Sequence, residues 1–377
     1  MIIKNGMVYN QNFKFEKSTV YIEFGKIVDC AQHQDDEVLD ATGCYVVPGL
    51  IDIHFHGCAG YDFCDATKEA LEKMAEYELS HGITAICPAS MTLSESRLTD
   101  IFSNAAAYHG KTGADLVGIN MEGPFISEEK KAAQNATYIH KPDVDMFNRL
   151  QNAAGGLIKL VDVAPEVENA MEFIRQVSPK VRVSLAHTAA SYEKAMEAFK
   201  AGASHVTHLH NGMTPFSHRS PGVLGAVYDF KGAMAELICD KTHLSPSTIR
   251  MTFELLKPER IIMISDSMMA TGLSNGSYSL GGQAVTVKDG VATLTDTNAL
   301  AGSVTNLMDC LRNLVQNVGI PFESALRCAT YNPAVALGIE ASYGSIAPGK
   351  KADVLILDAN LDIVHIIKDG TVRMIKN

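Results

Sequence analysis

Imidazole and carboxylate side chains stand at the ends of several apolar runs in this chain. LIDIHFHG (50–57) brings His54 and His56 two residues apart, directly before a glycine. Side chains alternate faces along a strand, so Asp52, His54 and His56 share a side. Two imidazoles converging at the end of a buried run call for a partner, and a metal ion is a natural one. For a bare His-x-His pair, two hydrogen-bonded histidines in a loop are the commoner arrangement. Other runs extend the pattern: GINMEGPF (118–125) ends on Glu122, SLAHT (184–188) on His187, and MISDS (263–267) on Asp266, while SHVTHLHN (204–211) holds His205, His208 and His210. Singly, Glu122 reads as a turn residue, Asp266 as a helix cap, and each histidine as a hydrogen-bonded core residue. Together they offer ligand types for one divalent cation.

The elements that would carry these residues are regular. Strand candidates fall at 50–54, 84–88, 116–121, 158–163, 181–186, 205–209, 233–238 and 260–265. Amphipathic helices fit between them. In 66–82, Leu71, Met74, Ala75, Glu78 and Leu79 follow helical spacing and Gly82 suits the stop. In 245–258, Ser245 can cap, Pro246 can open the first turn, and Ile249, Phe253 and Leu256 share a face. Eight β–α repeats predict an α/β fold, a (β/α)8 TIM-like barrel over 50–340 with its reactive groups at the C-terminal strand ends. The long loops after the third and sixth strands suit lids or interface segments. Short strands at 1–3, 7–9, 19–24 and 27–29, and again at 352–357 and 363–368, predict a small β-sandwich domain built from both termini, residues 1–49 plus 341–377.

Composition narrows the partners. The 377 residues carry a net charge of −11, which disfavours nucleic acid. No apolar run approaches membrane-spanning length, and the N-terminal MIIKNGMVYN lacks the apolar core of a signal peptide. The eight cysteines form no Cys-x-x-Cys pair and read as reduced thiols, which predicts a cytoplasmic protein.

PGLIDIHFHG (48–57) with the downstream histidines and aspartate resembles the amidohydrolase superfamily, and GSIAPGKKADVLILD (344–358) resembles its C-terminal return to the β-domain. MEGPF (121–125), KKAAQN (130–135), THLHNGM (207–213), RSPGVLGA (219–226), SDSMMATG (265–272) and LAGSVTNL (300–307) are similar in order and spacing to the N-acetylglucosamine-6-phosphate deacetylases within it. The resemblance covers nearly the whole chain. It implies that Glu122, His187 and His208 hold a principal metal, and that His54 and His56, with Glu122 as a bridge and Asp266 as a further candidate ligand, hold a second. One or two divalent ions per subunit are expected, with zinc or iron(II) suited to mixed imidazole and carboxylate donors. Such an ion acidifies water from a pKa of roughly 16 toward roughly 7. Asp266 would then take a proton from that water and hand it to the departing amine.

By the same resemblance, Arg219 and His243 bind a 6-phosphate, helped by Asn211 and the backbone at Gly212. The arginine can come from a neighbouring subunit, so a homodimer is expected. Two positions depart from the family. Gln134 stands where a histidine is usual, leaving its amide as the donor toward the acetyl carbonyl. His210 stands where an aromatic is usual, and strand alternation with His208 aims it toward substrate. The implied reaction is deacetylation of N-acetyl-D-glucosamine 6-phosphate, with the galactosamine epimer or another amide or cyclic imide as alternatives. Hydantoinase-type sites use a carbamylated lysine, and LVDVAPE (160–166) offers none. A non-catalytic scaffold would have no reason to keep every ligand.

Overall fold

The computed structural model describes residues 1–30 and 37–375; residues 31–36 and 376–377 of the expected outer domain lie outside them. Parallel strands dominate the centre. Leu50–Asp52, Ile83–Ile86 and Asp115–Leu116 form one three-stranded parallel sheet. Ile119–Met121, Ile158–Val163, Arg182–Leu185, His205–Val206, Met234–Ile238 and Ile261–Ile264 form a six-stranded one, with neighbours in chain order. The expected strand over 116–121 is thus split at Val117–Gly118. The Asp266 amide donates to the His54 carbonyl at 3.0 Å, tying the end of the last parallel strand to the end of the first. Six consecutive residues, Leu50–Phe55, are buried, which is why this run reads as nearly continuous apolar sequence.

Helices cover these strands where spacing and caps require them. Lys68–Ser80 is helical, with Thr67 accepting from the Ala70 amide and Leu71, Met74, Ala75 and Leu79 buried. Pro246–Leu256 opens as its sequence dictates, Ser245 accepting from the Thr248 amide. Beyond Ser303 the chain is helical over Leu307–Asn313, continued by a π-helical turn at Leu314–Val318, and again over Phe322–Ala329 and Tyr331–Leu337, with Gly319 at positive φ and Pro321 separating the first piece from the second.

Both ends of the chain contribute to further sheets. Lys26–Val28, Val20–Glu23, Ile2–Lys4 and Val38–Asp40 make a four-stranded sheet. Thr371–Ile375, Ile363–Lys368, Val354–Leu357, Tyr45–Pro48, Met7–Tyr9 and Phe15–Lys17 make a six-stranded one. A separate apolar cluster draws Ile3, Val20 and Ile22 from the first and Val8, Val46, Val354, Ile356 and Ile367 from the second. Buried Lys368 joins this region to the central strands, donating to Asp115 at 2.8 Å, Asp353 at 3.1 Å and Asp369 at 2.9 Å.

One sheet stands where spacing had suggested no element. Gly276–Leu280, Gln283–Lys288 and Val291–Leu294 form a three-stranded antiparallel meander. Its signal is present in the sequence: YSLGGQAVTVKDGVATL alternates around Gly-Gly and Asp-Gly turns.

Candidate active site

His54 and His56 lie just past the strand Leu50–Asp52, and Glu122 and Asp266 just past theirs. His187 follows Arg182–Leu185 by two residues, and His208 follows His205–Val206 by two. Glycine after His56 is a steric necessity: a Cβ on Gly57 would stand 2.2 Å from the Tyr61 carbonyl oxygen. Gly212 serves His187 in the same way, since a Cβ there, at φ +61°, would fall 2.9 Å from the ring Nδ1. His187, His208 and Asp266 themselves have φ of 42°, 29° and 50°. Left-handed backbone at a non-glycine residue costs about 1–3 kcal/mol and persists only where surroundings hold it.

The side chains converge. Glu122 Oε1 lies 3.0 Å from His187 Nε2 and 3.1 Å from His208 Nε2, and the two nitrogens are 3.1 Å apart. Glu122 Oε2 lies 3.4 Å from His56 Nε2, and Asp266 Oδ1 lies 3.3 Å from the same nitrogen. His54 Nε2 stands 3.6 Å from Glu122 Oε1 and 3.7 Å from Asp266 Oδ1, with no hydrogen-bond partner of its own.

Proton positions follow from the other face of each ring. Nδ1 of His187 faces the Lys130 carbonyl at 2.9 Å, that of His208 the Asn211 carbonyl at 3.1 Å, and that of His56 the Ala89 carbonyl at 3.2 Å. Carbonyls only accept, so each Nδ1 carries a hydrogen and each Nε2 faces inward, where it could offer a lone pair to a cation. His54 is set likewise by Glu236 Oε2 at 2.9 Å. Four imidazole Nε2 atoms and two carboxylates thus meet in a buried space. Two buried carboxylates need positive charge beside them, and the donors fall into two triads, Glu122–His187–His208 and His54–His56–Asp266. The residues fit a divalent metal.

The electrostatics show how strongly the site draws positive charge: burial lowers the His54 pKa, yet Glu236 and Glu122 outweigh it and raise the ring well above its ordinary value. Burial pushes the Glu122 carboxyl up, yet His54, His187 and His208 outweigh it and hold the group well below its ordinary range. Burial raises and the His56 and His54 rings lower Asp266, leaving it ionised. Glu236 is taken down to about 2 against burial by His54 and His205.

A cavity of about 280 Å³ opens above these groups. Glu122, His187, His208 and Asp266 lie in its wall with Asn211, Gly212, His243 and Gln134, and Leu280 and Leu300 of the meander region close one side. The His243 ring faces Asp240 at 2.8 Å, which overrides burial and raises its pKa. Gln134 is clamped: its oxygen accepts from the Thr92 amide at 2.6 Å and its NH2 donates to Glu122 Oε2 at 2.7 Å.

Two expected residues are elsewhere. His210 does not line the cavity. The regular strand stops at Val206, so alternation no longer applies, and φ of 83° turns the ring away to donate to Thr252 Oγ1 at 2.9 Å. Buried without a charged partner, it is pushed down to about 4. Arg219 is exposed in the 215–220 stretch, outside the cavity wall. Spacing also passed over Glu236 and the meander, although a lone carboxylate inside the apolar MAELIC (234–239) is a visible signal.

The site therefore defines a metal-dependent hydrolase class. Residues 45–375 match the Amidohydrolase family, and the chain belongs to it. The N-acetylglucosamine-6-phosphate deacetylase of Lysinibacillus sphaericus is 35% identical, over 100% of this chain and 98% of its own length. The N-acetylgalactosamine-6-phosphate deacetylase of Escherichia coli O157:H7 is 34% identical, over 86% of each. The structure of a mutant N-acetyl-D-glucosamine-6-phosphate deacetylase from Mycobacterium smegmatis, in complex with N-acetyl-D-glucosamine-6-phosphate, superposes with a TM-score of 0.91 at 29% identity, covering 99% of both chains.

Proposed function

We propose that this chain hydrolyses the acetamide of N-acetyl-D-glucosamine 6-phosphate, giving glucosamine 6-phosphate and acetate. The observation that carries the reading is the convergence of four imidazole Nε2 atoms on Glu122 and Asp266 in the wall of a cavity that His243 also lines. Glu122, His187 and His208 would hold one divalent ion; His54, His56 and Asp266 would hold a second, with Glu122 between the two sets. When bound, zinc or iron(II) supplies Lewis acidity toward water and the amide carbonyl.

The chain's own groups do the rest. Asp266 accepts the proton of the attacking water at a carboxylate oxygen and returns it to the amide nitrogen as the C–N bond breaks, because amines leave poorly without a proton. The water oxygen forms the new C–O bond of acetate. Gln134 keeps Glu122 in place through one N–H. His243, with Asn211 and the Gly212 backbone, receives the phosphate, and Arg219 completes that site from a second copy of the chain. The protein then acts as a cytoplasmic homodimer. Its architecture is a (β/α)8 barrel over 50–340 beside a β-sandwich from 1–49 and 341–377, supported by strand order and by the separate apolar cluster of the terminal sheets.

The galactosamine epimer is the second reading, favoured by the Escherichia coli relative. A panel of N-acetylated hexosamines, with and without 6-phosphate, assayed for released acetate tests both. The glucosamine phosphate should show the highest kcat/KM. A higher value for the galactosamine phosphate selects the second reading, and an unchanged kcat/KM without phosphate removes the roles given to His243 and Arg219.

A further inference from the structure

We propose that Glu236 is a positioning residue that keeps the two donor triads in register; the inference rests on the metal-dependent reading above. Glu236 lies on the strand Met234–Ile238, is buried, and takes no part in the cavity wall. Its Oε2 accepts from His54 Nδ1 at 2.9 Å and from the His208 backbone amide at 3.1 Å. Its Oε1 accepts from His205 Nε2 at 3.0 Å. One oxygen therefore reaches both triads, one through a ring and the other through a backbone.

The two contacts do different work. At His54 the acceptor holds a hydrogen on Nδ1 and so leaves Nε2 as the atom that faces Glu122 and Asp266 and would meet a bound cation. At His208 it anchors the amide of a residue whose φ of 29° is left-handed, a conformation that needs an external hold. The next residue is tied to the same strand position, with the Leu209 amide donating to the Glu236 carbonyl at 2.8 Å. Released from Glu236, the His54 ring is free to present N–H to the cation, and the turn carrying His208 is free to relax.

The test is zinc binding by the full-length chain in competition with a chromophoric chelator, comparing wild type, E236Q and H205Q. A glutamine keeps the shape but must set an NH2 against one of the two oxygens' partners. E236Q should bind zinc about 10–100-fold more weakly than wild type, the range seen when a ligand's supporting partner is removed. H205Q keeps a donor toward Oε1 and leaves the His54 and His208 contacts alone, so its zinc affinity should stay near wild type. The visible spectrum of the cobalt(II)-loaded chain should change in E236Q and not in H205Q. Wild-type zinc affinity in E236Q overturns the proposal. An equal loss in H205Q also overturns it, since Glu236 would then serve general packing. Should E236Q not fold, E236D is read by the same comparison. A wild-type chain that takes up no zinc defeats the metal-dependent reading itself, a result distinct from two variants that bind alike.

Discussion

Replacing Asp266 by asparagine separates proton transfer from binding of the ion assigned to Glu122, His187 and His208. The substitution is nearly isosteric, and asparagine tolerates the left-handed backbone, φ 50°, that Asp266 adopts. The amide of residue 266 keeps its bond to the His54 carbonyl. Removing a general base costs typically 10²–10⁴-fold. The upper end is expected here, because no second base stands ready. Among the described residues, the cavity wall holds two carboxylates, Glu122 and Asp266. Both oxygens of Glu122 are committed, one to His187 and His208, the other to Gln134. At roughly 1.4 kcal/mol per decade, a 10⁴-fold fall is about 5 kcal/mol of lost transition-state stabilisation. The assay is released acetate alongside metal analysis of the same preparation. Asp266→Asn should keep the ion held by Glu122, His187 and His208 while kcat falls. A variant within tenfold of wild-type kcat, metal intact, would refute the assignment of Asp266.

Chelation should abolish turnover and added zinc should restore it, with far-UV circular dichroism unchanged throughout; persistent activity in metal-free protein would end the metal-dependent reading. His243→Gln should raise KM for the phosphorylated sugar about 10-fold, a lost charge-assisted contact of about 1.4 kcal/mol, and leave KM for the unphosphorylated sugar alone. The pH dependence has a definite sign. Asp240 raises the His243 pKa above its ordinary value, so the ring is cationic below that raised value and loses its charge as pH climbs through it. KM for the phosphate substrate should therefore rise in wild type as pH climbs through that raised value, above the ordinary histidine range, and show no such step in His243→Gln. Lys368→Met should cost about 3–5 kcal/mol in urea unfolding, because it strands the buried Asp353 without its cation, while kcat per folded molecule is unchanged. A loss below 1 kcal/mol would show that the acidic cluster relaxes around the gap.

What the sequence made legible follows the range of the forces involved. Ile158–Val163 is a strand over the span its apolar residues predict, and Lys68–Ser80 is a helix between the cap at Thr67 and the glycine at 82. Those elements answer to local periodicity and local caps. The positions of His54, Glu122, His187, His208 and Asp266 were legible for a related reason: each follows a buried run whose parallel direction delivers its end to one side. His210 was not, because its expected direction extended strand alternation past Val206 into a turn with φ of 29° at His208 and 83° at His210. Two residues of non-extended backbone suffice to point neighbouring histidines at different elements.

The same reasoning explains why Glu236 escaped notice while the residues it supports did not. A ligand at a strand end is marked by its neighbours in sequence, whereas the carboxylate that orients it from behind comes from a strand about 180 residues away, Glu236 against His54 at a separation of 182. Its sole local trace is a charged side chain in an otherwise apolar strand, a cost of several kcal/mol if the charge is left unpaired. A buried carboxylate that stays ionised needs partners, whereas Glu78, buried with neither oxygen hydrogen-bonded among the described residues, is pushed by burial and Asp52 well above its ordinary range. The partners can thus be sought by asking which nearby imidazoles still need an acceptor. In this fold the answer is His54 and His205, and the amide of His208 beside them, partners that the charge in MAELIC calls for but that only the geometry names.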